Sequence, residues 1–281
     1  MTARPGGIPA AAPASRPADV FDTMGTTASL RGPAVPPELM RGLIALFVAA
    51  DHRFSTYRPD SELSRINRGG IGLTRASRPM KEMYERALEW RMRTGGRFTP
   101  HTPDGLLDLN GVVKAHTMAA GESLLLAASH RNWCLSVGGD LVADGMQPDG
   151  RPWTIGVVDP SDPDGYLTSI RAAPGARAVA TSGTRERGHH LWDGARADSR
   201  TSGFLQATVV ASDIITADVL ATTLAAGGPP VIVDLLSEHA VQFVAVSPNG
   251  RLYASAGFRQ PAETGLGGAF RAPPGGPPVR G

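Results

Sequence analysis

Helix-period and strand-period segments alternate along residues 19–259 with no linker between them, which restricts the chain to one mixed domain. Leu39, Leu43, Ile44, Phe47 and Val48 recur at helical spacing behind Pro36-Pro37, and this predicts a helix over 37–51. A second helix is expected over 80–94, where Gly95-Gly96 stops it, a third over 113–128, and a last over 214–226 before Gly227-Gly228. Strand signals lie at 20–30, 133–137, 141–145, 153–158, 178–180 and 207–211. The two kinds of element are interspersed without a strict βαβ repeat. The expected fold class is therefore α+β, a single mixed α/β domain, and not a doubly wound sheet. Residues 1–18 are rich in Ala, Pro and Arg, and Pro273-Pro274-Gly275-Gly276-Pro277-Pro278 lies near the other end. By composition, 1–18 and 260–281 read as disordered tails.

Several function classes are excluded at once. The formal charge of the 281 residues is only +2 and Lys/Arg runs are absent, so no nucleic-acid footprint is present. Cys134 is the single cysteine, so an intrachain disulfide, a Cys-based zinc site and an iron–sulfur cluster cannot be built; it reads as a small buried apolar residue. No stretch reaches the roughly 18 apolar residues of a membrane span. Pro5, Pro9, Pro13 and Pro17 interrupt the start, which has neither a secretory hydrophobic region nor a lipid-accepting Cys, so cytoplasmic residence is expected. A Rossmann fingerprint and a Walker A loop are also missing.

Four polar clusters remain. Gly138-Gly139-Asp140 follows a strand; it either brings backbone N–H groups close to a phosphate or makes a tight hairpin turn, the simpler local reading. Thr181-Ser182-Gly183, read as following a strand, offers two hydroxyls and a flexible glycine. Asp218 and Thr222 lie four apart in an otherwise apolar helix and share a face. A buried Asp there must be paired or bind a cation, and hydroxyl plus carboxylate oxygens suit Mg²⁺; capping or back-bonding is the alternative. His189 and His190 are adjacent, so on a strand at most one faces a given site, favouring one acid/base or phosphate-contacting His over a His-pair metal site.

Taken in order, the motifs resemble the ApbE-type FAD:protein FMN transferases. Met24-Gly25-Thr26-Thr27 is similar to the family's opening MGT motif, and residues 54–67, FSTYRPDSELSRIN, resemble its STY-x-PDSELSRLN segment. Asp108-Leu109-Asn110-Gly111-Val112-Val113-Lys114 resembles DLGGIAKG, and Val137-Gly138-Gly139-Asp140 with Trp153 and Asp159-Pro160 resembles the GGD segment. Ala180-Thr181-Ser182-Gly183 with His190-Leu191-Trp192-Asp193, then Ala217-Asp218-Val219-Leu220-Ala221-Thr222, complete the series.

The resemblance implies an ApbE-like domain over 19–259. It also implies an activity: FAD is cleaved, FMN is attached through a phosphodiester to a Ser or Thr of a flavin-acceptor protein, and AMP leaves. FAD diphosphatase activity and non-catalytic FAD binding are the alternatives on the same scaffold. It further implies Mg²⁺ held by Asp218, Thr222 and the Gly111 carbonyl. Asp108 is expected at the adenine, Lys114 near the phosphates, and Met24 and Tyr57 on the dinucleotide. Gly138, Gly139, Ser182 and Gly183 are expected to line the pocket, with His190 as acid/base. Four departures stand out: Asn110 and Ala115 for glycines, Gly194 for the proline after Asp193, and a short span between Phe98 and Asp108.

Overall fold

The computed structural model describes residues 18–162, 164–183, 193–195, 203–256 and 258. Except for Ala18, the expected tails lie outside the described residues, as do His189 and His190. The order along the chain is β1 (Asp19–Thr23), β2 (Thr26–Arg31), α1 (Pro37–Phe54), α2 (Glu62–Asn67) and α3 (Arg78–Arg93). Then come α4 (Asn110–Ala127), β3 (Trp133–Val137), β4 (Asp140–Asp144), β5 (Thr154–Val158), β6 (Tyr166–Arg171) and β7 (Ala178–Gly183). The series ends with β8 (Gln206–Ala211), α5 (Ile214–Gly227), α6 (Ile232–Glu238), β9 (Gln242–Val246) and β10 (Leu252–Ala254). The class is mixed α/β, as the interspersed pattern implies.

Eight strands form one antiparallel sheet in the order β1-β2-β3-β4-β7-β8-β9-β10, and β5 with β6 makes a separate two-stranded ribbon. One face of the large sheet is covered by α1, α4 and α5. Leu30, Leu135, Val209, Phe47, Met118 and Leu220 meet there in the main core. The ribbon contributes to a second core, in which Trp153, Ile155, Val157 and Ile170 pack with Cys134, Leu141, Val179, Val210 and Val244. Alternation explains this two-sided burial: successive strand residues point to opposite faces, so Leu135 faces the helices while Cys134 faces the ribbon. Cys134 is fully buried, and burial pushes its thiol up to about 12.

Three local expectations are corrected. The strand signal at 20–30 is a hairpin: Met24 (φ 48°) and Gly25 (φ 69°) both take positive φ between β1 and β2, the pattern of a two-residue turn. The third helix starts at Asn110 and not at 113: the Leu109 carbonyl closes its first turn by accepting from Val112 and Val113 N–H, both at 3.0 Å, and the Asp108 carboxylate accepts from Asn110 N–H at 2.8 Å just ahead of it. Thr181, Ser182 and Gly183 do not follow a strand; they are the last residues of β7, paired with Thr208, Ala207 and Gln206. A Cβ on Gly183 would stand 2.7 Å from the Leu205 carbonyl, so this glycine serves a close backbone approach.

Candidate functional site

The site is built at one end of the large sheet. The β1–β2 turn and the Gly138-Gly139 turn joining β3 to β4 lie side by side, since β2 pairs with β3 and Gly138 N–H donates to the Thr27 carbonyl at 3.2 Å. Gly138 (φ 55°) and Gly139 (φ 96°) make a tight hairpin turn. A Cβ at Gly138 would meet Thr26 Oγ1 at 3.0 Å, so the two turns pack in contact. β7 ends at the same edge, because Val179 pairs with Leu141 and the chain then runs toward the Asp140 end of β4.

Asp140 opens β4 and is fully buried. Its Oδ1 accepts from Thr181 N–H at 3.0 Å, and its Oδ2 contacts Lys114 Nζ directly. Lys114 reaches it from the second turn of α4, and the same ammonium stands 3.7 Å from Asp218 Oδ1 on α5. Asp218 is 3% exposed. The capping alternative for Asp218 does not apply, because Asp213 caps α5 by accepting from Thr216 N–H at 2.8 Å. Thr222, one turn further along α5, brings its Oγ1 to 3.1 Å from Ser182 Oγ. Thr181 Oγ1 is likewise 2.9 Å from Thr208 Oγ1. Lys114, Asp218, Thr222 and Ser182 are thus brought together from three elements. Asp140, absent from the expected site residues, joins them; its only sequence signal was its place directly after Gly138-Gly139.

The remaining positions lie around this cluster or apart from it. Gly111 shares a helix face with Lys114, three residues on, and its Cα lies so near Phe98 that a Cβ would stand 2.7 Å from the ring. Asp108 is half-buried, and its carboxylate accepts from Asn110 N–H at 2.8 Å. Met24 packs on the main core from the β1–β2 turn. Tyr57 is 89% exposed on the loop between α1 and α2. That loop is stapled by Ser55, whose Oγ accepts from Tyr57 and Arg58 N–H and whose carbonyl accepts from Ser61 Oγ at 2.6 Å. His190 lies outside the described residues.

The departures have local explanations. Asn110 is a first-turn helical residue and does not take positive φ, so no glycine is required there. Ala115 is fully buried in the main core. Gly194 N–H donates to the Arg97 carbonyl at 2.8 Å, a bond proline cannot make, and a Cβ there would stand 2.5 Å from the Gly96 carbonyl. The short span before Asp108 is closed by Asn67, whose side chain donates to the Leu107 carbonyl and accepts from Leu107 N–H, both at 2.9 Å.

The donor set fits a hard cation. Asp218, Thr222 and Ser182 offer carboxylate and hydroxyl oxygens, the ligand types a hard cation takes, although among the described residues no group of three or more His, Cys, Asp or Glu could hold a metal ion. No helix among those residues is long and apolar enough to cross a membrane.

The family model described as "ApbE family" matches residues 24–104 and 101–245. The FAD:protein FMN transferase of Vibrio cholerae serotype O1 is 24% identical over 263 residues, covering 72% of this chain and 78% of that protein. That of Klebsiella pneumoniae is 25% identical over 156 residues, covering 53% and 44%. Among solved structures, the ApbE protein of Thermotoga maritima superposes with a TM-score of 0.71 at 20% identity, covering 85% of this chain and 97% of the other. The flavin transferase ApbE of Vibrio cholerae gives 0.66 at 22% identity, covering 85% and 98%. At these identities the superpositions establish a shared fold.

Proposed function

This chain belongs to the ApbE family, and from that premise we propose that it is a Mg²⁺-dependent FAD:protein FMN transferase acting on a Ser or Thr of a partner protein. The observation that carries the proposal is the convergence of Lys114, Asp140, Asp218, Thr222 and Ser182 at one end of the sheet. Such a cluster of buried carboxylates, hydroxyls and one ammonium suits a pyrophosphate and a hard cation better than an apolar ligand.

In the proposed reaction the acceptor hydroxyl oxygen forms a bond to the FMN phosphorus. The bond from that phosphorus to the bridging oxygen breaks, and the bridging oxygen leaves on AMP. His190 takes the hydroxyl proton. Lys114 holds the phosphate oxygens by charge, Gly138, Ser182 and Gly183 line the pocket, and Gly139, with open space where a Cβ would stand, lets the backbone pass close to the dinucleotide. Met24 and Tyr57 contact the dinucleotide, and Asp108 the adenine. Asp218 and Thr222 side chains with the Gly111 carbonyl would hold Mg²⁺, whose charge stabilises the transferring phosphoryl group.

Incubation with FAD and Mg²⁺, with and without a Thr-bearing acceptor peptide, tests this. The expected result is AMP release matched by flavin on the peptide. AMP release without labelling identifies an FAD diphosphatase, and bound flavin without AMP identifies a binding protein. Asp218→Ala should lower AMP release by on the order of 100-fold or more; unchanged turnover removes Asp218 from the cation site.

A further inference from the structure

Lys114 stands between two buried carboxylates but engages them unequally. It is in direct contact with Asp140 Oδ2, while Asp218 Oδ1 is 3.7 Å away. Asp140 cannot easily follow a wandering ammonium: it is fully buried, and its other oxygen is tied to β7 through Thr181 N–H at 3.0 Å. Lys114, by contrast, is a flexible side chain, 19% exposed, rooted on a different element. An ammonium that closes onto Asp218 competes with any divalent cation for the same oxygens, and the penalty is large where solvent screening is weak.

We propose that Asp140 is a positioning residue: by anchoring Lys114 on β4 it keeps the ammonium from closing onto Asp218, so that a divalent cation meets less competition there. This rests on Asp218 being a cation ligand. Replacing Asp140 by Asn preserves the oxygen that accepts from Thr181 but removes the charge that holds Lys114. Lys114 then settles on Asp218, whose Oδ1 already stands 3.7 Å from it.

The test is Mn²⁺ binding to the full chain without nucleotide, read from the electron paramagnetic resonance signal of free Mn²⁺. The proteins compared are wild type, Asp140→Asn, Lys114→Met, the double variant and Asp218→Asn. Asp140→Asn should weaken binding about tenfold in the presence of Lys114 and less than about threefold in the Lys114→Met background. Lys114→Met alone should bind more tightly than wild type. Equal weakening in both backgrounds is the signature of a lost negative charge acting at a distance, and it overturns the positioning role. If Asp140→Asn does not fold, Asp140→Ser takes its place in both backgrounds, and equal weakening with and without Lys114 overturns the proposal. Unchanged binding in Asp218→Asn overturns the cation-ligand reading itself. Loss in Asp218→Asn with no change in Asp140→Asn overturns only the inference about Asp140.

Discussion

His116 lies on α4 against the packing of α1 and α3, lining a small cavity with Leu46, Phe54, Met83 and Arg86. Its Nδ1 is 3.1 Å from Arg86 Nη1, and since a guanidinium can only donate, Nδ1 accepts and the ring is neutral. Burial pushes its pKa down from 6.5 to about 4; Arg86 adds to the shift and Asp213 opposes it. The unfolded chain therefore takes up this proton first as the pH falls. Stability should drop between about pH 6.5 and about 4, by on the order of 2 kcal/mol from this residue. In His116→Gln the acid limb of the melting-temperature profile should be shallower across that window. Parallel limbs in the two proteins would rule this out.

At the scale of elements, α5 shows how a helix can be fixed by its ends while its middle carries chemistry. It is apolar on nearly every side, with Val219, Leu220, Ala221 and Leu224 all buried, so its rotation cannot be set by an apolar stripe. The Asp213 cap at one end and Gly228 (φ 67°) at the other set where it starts and stops. Asp213→Ala should cost about 1 kcal/mol and lower the melting temperature by about 2–4 °C, checked by calorimetry. The two turns at the site are the other element-scale device. Their glycines were visible in the sequence as Gly25 and Gly138-Gly139, whereas the contact between the turns depends on β2 pairing with β3 and is not encoded in either turn alone.

For the whole molecule, the large sheet is buried on both faces, by helices on one side and by the β5–β6 ribbon on the other. Trp153 anchors the ribbon side, 5% exposed, with its indole N–H donating to the Asp144 carbonyl at 3.2 Å. Trp153→Ala should destabilise the protein by about 3–5 kcal/mol, seen as a shifted urea midpoint. Mn²⁺ affinity measured well below the transition should stay unchanged, because Lys114 and Asp218 ride on the helices of the opposite face. A change in affinity comparable to that of Asp218→Asn would show that the two faces are coupled.

Much of this was legible beforehand, and the limits were physical. Long helices announce themselves through periodicity and stop signals, so α1, α3 and α5 lie close to their expected bounds. Shorter elements did not: α2, α6, β6, β9 and β10 are too brief for a period to stand out, although the apolar run Phe243-Val244-Ala245-Val246 marks β9. The ordered motifs named the family and most of the clustered side chains. What only the tertiary structure decided was strand order, the β1–β2 hairpin, and the sharing of Lys114 between Asp140 and Asp218. Periodicity and capping are interactions between near neighbours, so they are written locally in the chain. An ion pair joining α4, β4 and α5 exists only once β4 and β7 pair in register and both helices dock, and no local pattern carries that information.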